Sequence, residues 1–347
     1  MAPRLKSFHV RGDCGKVIRC LLSCSCSPWK RPVMKKACTE GIFQGLTISS
    51  NGPPLSHFLY ADDVIFMGEW LYQNVVNLKR LLRCFYLTTG LRVNLKKSSL
   101  YGVGVEDTHV QIMANVMGCV RGVFPFKYLG LQVGANMNLV KNWDPVVEIF
   151  KKRLSMWRAN TLSFGGRITL VRSVLNALPT YYFSLYKAPV GVIKKLEKLR
   201  GDFLWGSTPD KDKMKWASWK SITTPKDLGG MGFGSLRLAN LAMLSKWWWR
   251  FKVDRGSLWR KVVWGVHNNS RTWSFIPVKL SLPGPWKQIY NLSVDFGDVG
   301  VNLEALFRVH PGQDKDVFFW KERWLFDEPL CDRFTSLYQL ESKKMYC

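Results

Sequence analysis

The chain has 347 residues, with 51 Lys and Arg against 25 Asp and Glu, so its formal net charge is +26. Hydrophobic residues make up 47% of it, enough to fill real cores in a chain long enough for two domains. No apolar stretch approaches the roughly 18 residues a membrane helix needs, and a basic excess spread along the whole chain points to a polyanionic partner, nucleic acid first.

In chain order, residues 1–37 show no clean period and are expected to be irregular. Arg4, Lys6 and Arg11 precede VIRCLLSCSCSPW, an imitation of a secretory leader. Arg19 interrupts its apolar run and serines and cysteines dilute it, so secretion is not expected, and a nuclear or cytoplasmic location is. Cys14, Cys20, Cys24 and Cys26 include a CxxxCxC spacing rather than the CxxC pairs of a zinc site, with His9 the one histidine nearby. Disulfides are not expected in a basic intracellular chain. Gly41 to Ile48 reads as a short strand, and Asn51-Gly52-Pro53-Pro54 as a turn. Leu55 to Tyr60 and Val64 to Met67 read as two strands of a β-hairpin around Asp62 and Asp63.

Val75, Leu78, Leu82 and Phe85 then repeat at helical spacing, opposite Lys79, Arg80 and Arg83, and Gly90 is a fitting C-cap. A short element, LRVNLKKSSLYGV, follows, and FKYLGLQVG reads as a strand or hairpin. Beyond Asn142 the pattern is helical. Apolar faces run over Val146–Trp157, Ile168–Leu178 (stopped by Pro179), Val192–Trp205 and Leu236–Phe251, the last containing Trp247, Trp248 and Trp249. The Trp triplet is better explained as a packing face than as a base-stacking surface. From about residue 252 the chain is basic and Trp-rich, with no clear element pattern.

Neighbouring aspartates on a tight hairpin have two readings. Asp is common in turns because its carboxylate bonds local backbone. Metal-dependent phosphoryl transfer also needs hard oxygen ligands held rigidly, and a hairpin at a sheet edge holds them. The surrounding sequence bears on the choice. PPLSHFLYADDVIFMGEW resembles the catalytic hairpin of reverse transcriptases of the plant non-LTR (LINE-type) retrotransposon family. Gly90-Leu91, Asn94 and Lys97-Ser98 are similar to that family's GLxxNxxKS motif, FPFKYLGLQVG (124–134) to its primer-gripping segment, and LSFGGRITLVRSVLNALPTYYFSLYKAP (162–189) to the helical region that follows. FLWGS, PKDLGGMGF, KWWWR and FWKERWLFDEPLCDRFTSLYQL continue the resemblance in order, over roughly residues 37–340.

The resemblance implies an α+β fold: a partial palm of antiparallel hairpins and helices over 38–135, a helical thumb-like and connecting region over 136–251, and a basic Trp-rich region over 252–347. It implies RNA-directed DNA polymerisation, with an RNA template, a DNA primer, dNTPs and Mg²⁺ (or Mn²⁺) as partners and no small-molecule cofactor. By the same carry-over Asp62 is the metal ligand and Asp63 a weaker or indirect one. Tyr60 lies near the primer terminus and Lys97 near the triphosphate, with a solvated lysine the equal alternative. Phe126, Lys127 and Tyr128 position the primer, with sheet core the competing reading, and Arg167 contacts a phosphate, with a surface role at a helix N-terminus as the equal alternative.

The family's palm also uses a third carboxylate, on an earlier strand followed by a helix. The acids before Asp62 are Asp13 and Glu40, neither in that context, and the fingers region is not seen. The expectation is therefore a fragment without useful polymerase activity, or a non-catalytic basic nucleic-acid-binding remnant. Residues 1–37 fit a frameshift origin. Residues 13–31 back-translate, with permitted codons, to a sequence whose other frame reads LRQGDPLSPFLFLLAMEA, a family-like segment.

Overall fold

The computed structural model describes residues 17–23, 27–49, 52–61, 63–156, 162–207, 213–267, 276–307, 319–320, 323–326 and 328–340. It is a helix-rich α+β chain that divides into two compact units. Unit 1 comprises residues 1–136, 255–272 and 279–283; unit 2 comprises residues 137–254, 273–278 and 284–347.

Unit 1 opens with strand β1 (Val17–Ser23) and helix α1 (Ser27–Thr39). The expected irregularity of residues 1–37 is corrected here over 17–23 and 27–37. β1 is an aliphatic segment, VIRCLLS, whose backbone pairs with a neighbouring strand on each side. Those ladders, more than any alternation in its sequence, define it as a strand. The hairpin follows as β2 (His57–Tyr60) and β3 (Asp63–Glu69), then α2 (Tyr72–Thr89), β4 (Ser99–Val103), α3 (Asp107–Met117) and β5 (Val120–Arg121). The sheet order is β2-β3-β1-β4-β5, antiparallel except for the β4–β5 pair. A separate hairpin joins β6 (Phe126–Tyr128) to β7 (Leu131–Val133). Gly41 to Ile48 makes isolated bridges at Gly45 and Leu46 instead of the expected strand.

β3 explains why VIFM is a continuous apolar run rather than an alternating one. Val64 and Phe66 join a core with Val75, Leu78 and Phe85 of α2, Val110, Ala114 and Met117 of α3, and Met34 and Ala37 of α1. Ile65 and Met67 are buried with Leu55, against Leu46, Ile48, Tyr128 and Val262. Gly68 is required where β3 is crossed, since a Cβ there would lie 2.7 Å from the Gln44 carbonyl oxygen and from the Phe43 ring. Gly90 caps α2 in the left-handed region (φ 71°), its N–H donating to the Tyr86 carbonyl.

Unit 2 is built from α4 (Asp144–Met156), α5 (Phe164–Leu170), which continues into a π-helical stretch to Leu175, α6 (Thr180–Phe183), α7 (Val190–Trp205), α8 (Trp219–Thr223) and α9 (Leu236–Val253). α10 (Leu258–His267) falls in unit 1, where its Val262 packs on the second face of β3. α11 (Pro285–Tyr290) and α12 (Leu292–Gly297) return to unit 2. Its core gathers Trp143, Val147, Phe150, Phe183, Leu196, Leu204, Leu244 and Trp248. Among the described residues no helix is long and apolar enough to cross a membrane.

Candidate functional site

The β2–β3 hairpin closes through two residues, Ala61 and Asp62, with Tyr60 paired to Asp63 across the ladder. Two-residue loops favour turns with positive φ because their twist matches that of the strands, and Ala61 adopts φ 47°. A side chain in that region costs roughly 1–2 kcal/mol, which the buried apolar strand beside it offsets. Asp62 lies outside the described residues. Asp63, at the first position of β3, is half-buried, and the Tyr60 side chain is 62% exposed.

On the other side of β3, Ser23 of β1 pairs directly with Asp63. Paired positions in an antiparallel ladder place their Cβ atoms about 4.5–5.5 Å apart. Position 23 is a serine, and β1 contains no acid anywhere along its length. Beyond β1, Ser99 of β4 pairs with Leu21, so β4 starts at the hairpin end of the sheet. The 3-10 turn Leu95–Lys97 leads into it and touches β1. Asn94 caps this turn, its Oδ1 accepting from the Lys97 N–H at 3.2 Å, and the Lys96 and Lys97 side chains are exposed. Lys97 thus shares one end of the sheet with Tyr60 and Asp63, with β1 between.

The other candidates divide. Phe126 lies in the core, as its competing reading expected. It is buried, and its ring stacks on Tyr101 at 4.2 Å and lies 5.6 Å from Phe124. Tyr128, on the same face of the strand, packs against the cluster under Ile65 and Met67. Lys127 alternates to the other face and is exposed. Arg167 belongs to unit 2. Ser163 caps α5, accepting from the Gly166 N–H at 3.1 Å, and one turn later the Arg167 guanidinium lies over Gly206, at the end of α7. Any Cβ at Gly206 would collide with that guanidinium, and a cation at a helix C-terminus is favoured by the carbonyl dipoles there. Arg167 therefore makes an internal contact.

A two-ion centre holds its metals about 4 Å apart with several shared carboxylates. The described residues contain no group of three or more His, Cys, Asp or Glu that could hold a metal ion. Asp63 stands at the hairpin, and among the described residues no two further such groups gather around it.

The side chains that sequence reasoning passed over include buried and half-buried polar ones in unit 2. Glu197 Oε2 accepts from Arg200 Nη1 at 2.6 Å and from Trp219 Nε1 at 2.9 Å, while Oε1 accepts from the Leu236 N–H at 2.8 Å. That carboxylate joins α7, α8 and the start of α9. Arg200 is fully buried, donates from Nη2 to the Phe233 and Gly234 carbonyls, and has its pKa lowered by desolvation, with Glu197 opposing the fall. Arg172 donates to the Met231 carbonyl and Asn176 to that of Phe233. The PKDLGGMGF segment is thus held by three side chains on other helices. Asn240 accepts from the Ala188 N–H and donates to the Phe183 and Tyr186 carbonyls. No sequence pattern signals these pairs, whose members lie up to 59 residues apart.

No family model matches the chain. Two proteins of Arabidopsis thaliana are homologous to it. One carries the name "Putative ribonuclease H protein" and is 32% identical over 189 residues, 54% of this chain and 30% of that protein. The other, an "Uncharacterized mitochondrial protein", is 37% identical over 71 residues, 20% of this chain and 46% of that protein. The chain therefore spans less than half the length of either relative.

Proposed function

We propose that the chain is a retroelement-derived fragment carrying part of a reverse-transcriptase palm and the helical region that follows it, and that it binds nucleic acid through charge without extending a primer. The observation that carries this reading is the pairing at the hairpin end of the sheet. Asp63 faces position 23 of the central strand, and position 23 is a serine. The parental reaction would use Mg²⁺ to activate a primer 3′-hydroxyl and to stabilise the leaving pyrophosphate, and that needs more carboxylates than this edge offers. Tyr60, Lys96, Lys97 and Lys127 remain exposed, which suits a surface that meets phosphates and bases. The ordered run of motifs from YADD to PKDLGGMGF supports the family. A relative named for ribonuclease H supports a nucleic-acid setting.

Two measurements on the purified chain test this. In primer extension on an RNA template with Mg²⁺ and dNTPs, the wild type and its Asp62→Ala and Asp63→Ala variants are expected to give the same absence of product. Extension by the wild type that either variant removes overturns the proposal. In a salt titration of oligonucleotide binding, the affinity is expected to fall steeply as counterion release loses its advantage. A flat response counts against a charge-held complex.

A further inference from the structure

α9 carries three consecutive tryptophans, and the structure gives them different environments. Trp248 is buried, its Nε1 donating to the Ile289 carbonyl at 2.7 Å. Trp247 is half-buried, its Nε1 donating to the Ser184 carbonyl at 2.7 Å. Both are accounted for by packing. Trp249 is 52% exposed, and its ring lies nearly parallel to Phe307 at 6.3 Å. An indole half in water gives up apolar burial that a large side chain in a helix normally secures.

The neighbours of Trp249 are cationic. At helical spacing its face of α9 carries Lys246, Trp249, Arg250 and Val253, all exposed. Arg250 and Lys246 lie over the Trp247 ring, at 5.0 Å and 5.5 Å from its centroid. Arg250 also donates to Asp254 Oδ2, so one carboxylate offsets part of the charge. Burial, and secondly the adjoining Arg250, hold the Lys246 ammonium below its ordinary pKa. Lys246 and Arg250 thus project from the same face of α9 as the exposed Trp249 indole. An exposed aromatic flanked by cations is the arrangement that receives an unpaired base on the ring and its phosphates on the charges.

We infer that Trp249, with Lys246 and Arg250, forms a stacking platform on α9 for single-stranded nucleic acid. This rests on the nucleic-acid reading above and adds a place and a strand preference to it. A duplex keeps its bases stacked inside and offers this surface phosphates alone. A single strand offers both groups.

The test is fluorescence anisotropy of a labelled oligouridylate and a labelled RNA duplex with the full chain. Trp249→Ala is expected to weaken oligouridylate binding roughly 5- to 150-fold, the range of one lost base–aromatic stack, and to change duplex binding little. Trp249→Tyr keeps a ring and is expected to retain most of the affinity. Lys246→Gln and Arg250→Gln are each expected to weaken binding and to flatten the salt dependence by up to about one counterion. Circular dichroism melting shows that each variant folds. Should Trp249→Ala lose its fold, Trp249→Tyr against Trp249→Gln supplies the same contrast. Wild-type binding with an unchanged Trp249→Ala affinity overturns the platform alone. No wild-type binding of either probe overturns the platform and the nucleic-acid reading together.

Discussion

In unit 1 the sheet's backbone groups pair mostly with one another, the side chains of β3 meet carbon on both faces, and the buried Asn74 side chain holds backbone at Gln44 and Glu69. In unit 2, which has no strand among its described residues, loop backbone between helices pairs with buried or half-buried side chains: Asn240, Arg172, Asn176, and the Glu197–Arg200 pair with Trp219. The two designs fail differently. A sheet loses stability when its shape is disturbed. A helical unit pinned by polar groups loses it when one member of a pin is removed and the other stays buried without a partner.

The largest expected effect is therefore Glu197→Ala. It leaves the fully buried Arg200 without its carboxylate and the Leu236 N–H without its acceptor, and about 3–5 kcal/mol of stability is expected to be lost. Chemical denaturation read by Trp fluorescence measures it, and a loss near zero would mean that the pin is dispensable. Gly68→Ala is the matching insult to unit 1. A methyl group there meets the Gln44 carbonyl and the Phe43 ring, and overpacking of this kind costs about 1–3 kcal/mol. Equal melting of the variant and the wild type would show that the 43–45 segment moves aside freely.

The smallest effect is a pH dependence in unit 1. Burial, and then the charge of Lys279, lower the pKa of His267. The unfolded chain thus binds a proton more readily there than the folded one, so this contribution is complete above the ordinary histidine value of about 6.5 and is lost as pH falls through the lowered folded value. Wild-type melting temperature is expected to drop between pH 7 and pH 5.5, and His267→Gln to drop less. Parallel curves would remove His267 from the account.

The hairpins were legible in the sequence because their signals are local. HFLY and VIFM flank the aspartates of the first, and FKY and LQV flank the turn at Leu129-Gly130 of the second. α2 was legible for the same reason, from the spacing of Val75, Leu78 and Phe85 to its cap at Gly90. β1 was not, because VIRCLLS lacks alternation and becomes a strand only between β3 and β4, each 40 or more residues further along. Asn240 was opaque for a related reason: its three backbone partners lie 52 to 57 residues away. Of the candidate site, the aspartates and Lys97 could be picked out in the sequence, but the position opposite Asp63 on the central strand, Ser23, is identified only by its register.

That register has a topological consequence. β1 comes first in the sheet by sequence and third by position, the middle of five strands. Without it β3 and β4 are no longer adjacent strands but two raw edges, one of them bearing Val64 to Met67. Unpaired edges of that kind recruit strands from other molecules. Val17–Ser23 is thus a seam, and losing that strand would turn a paired sheet into a template for aggregation.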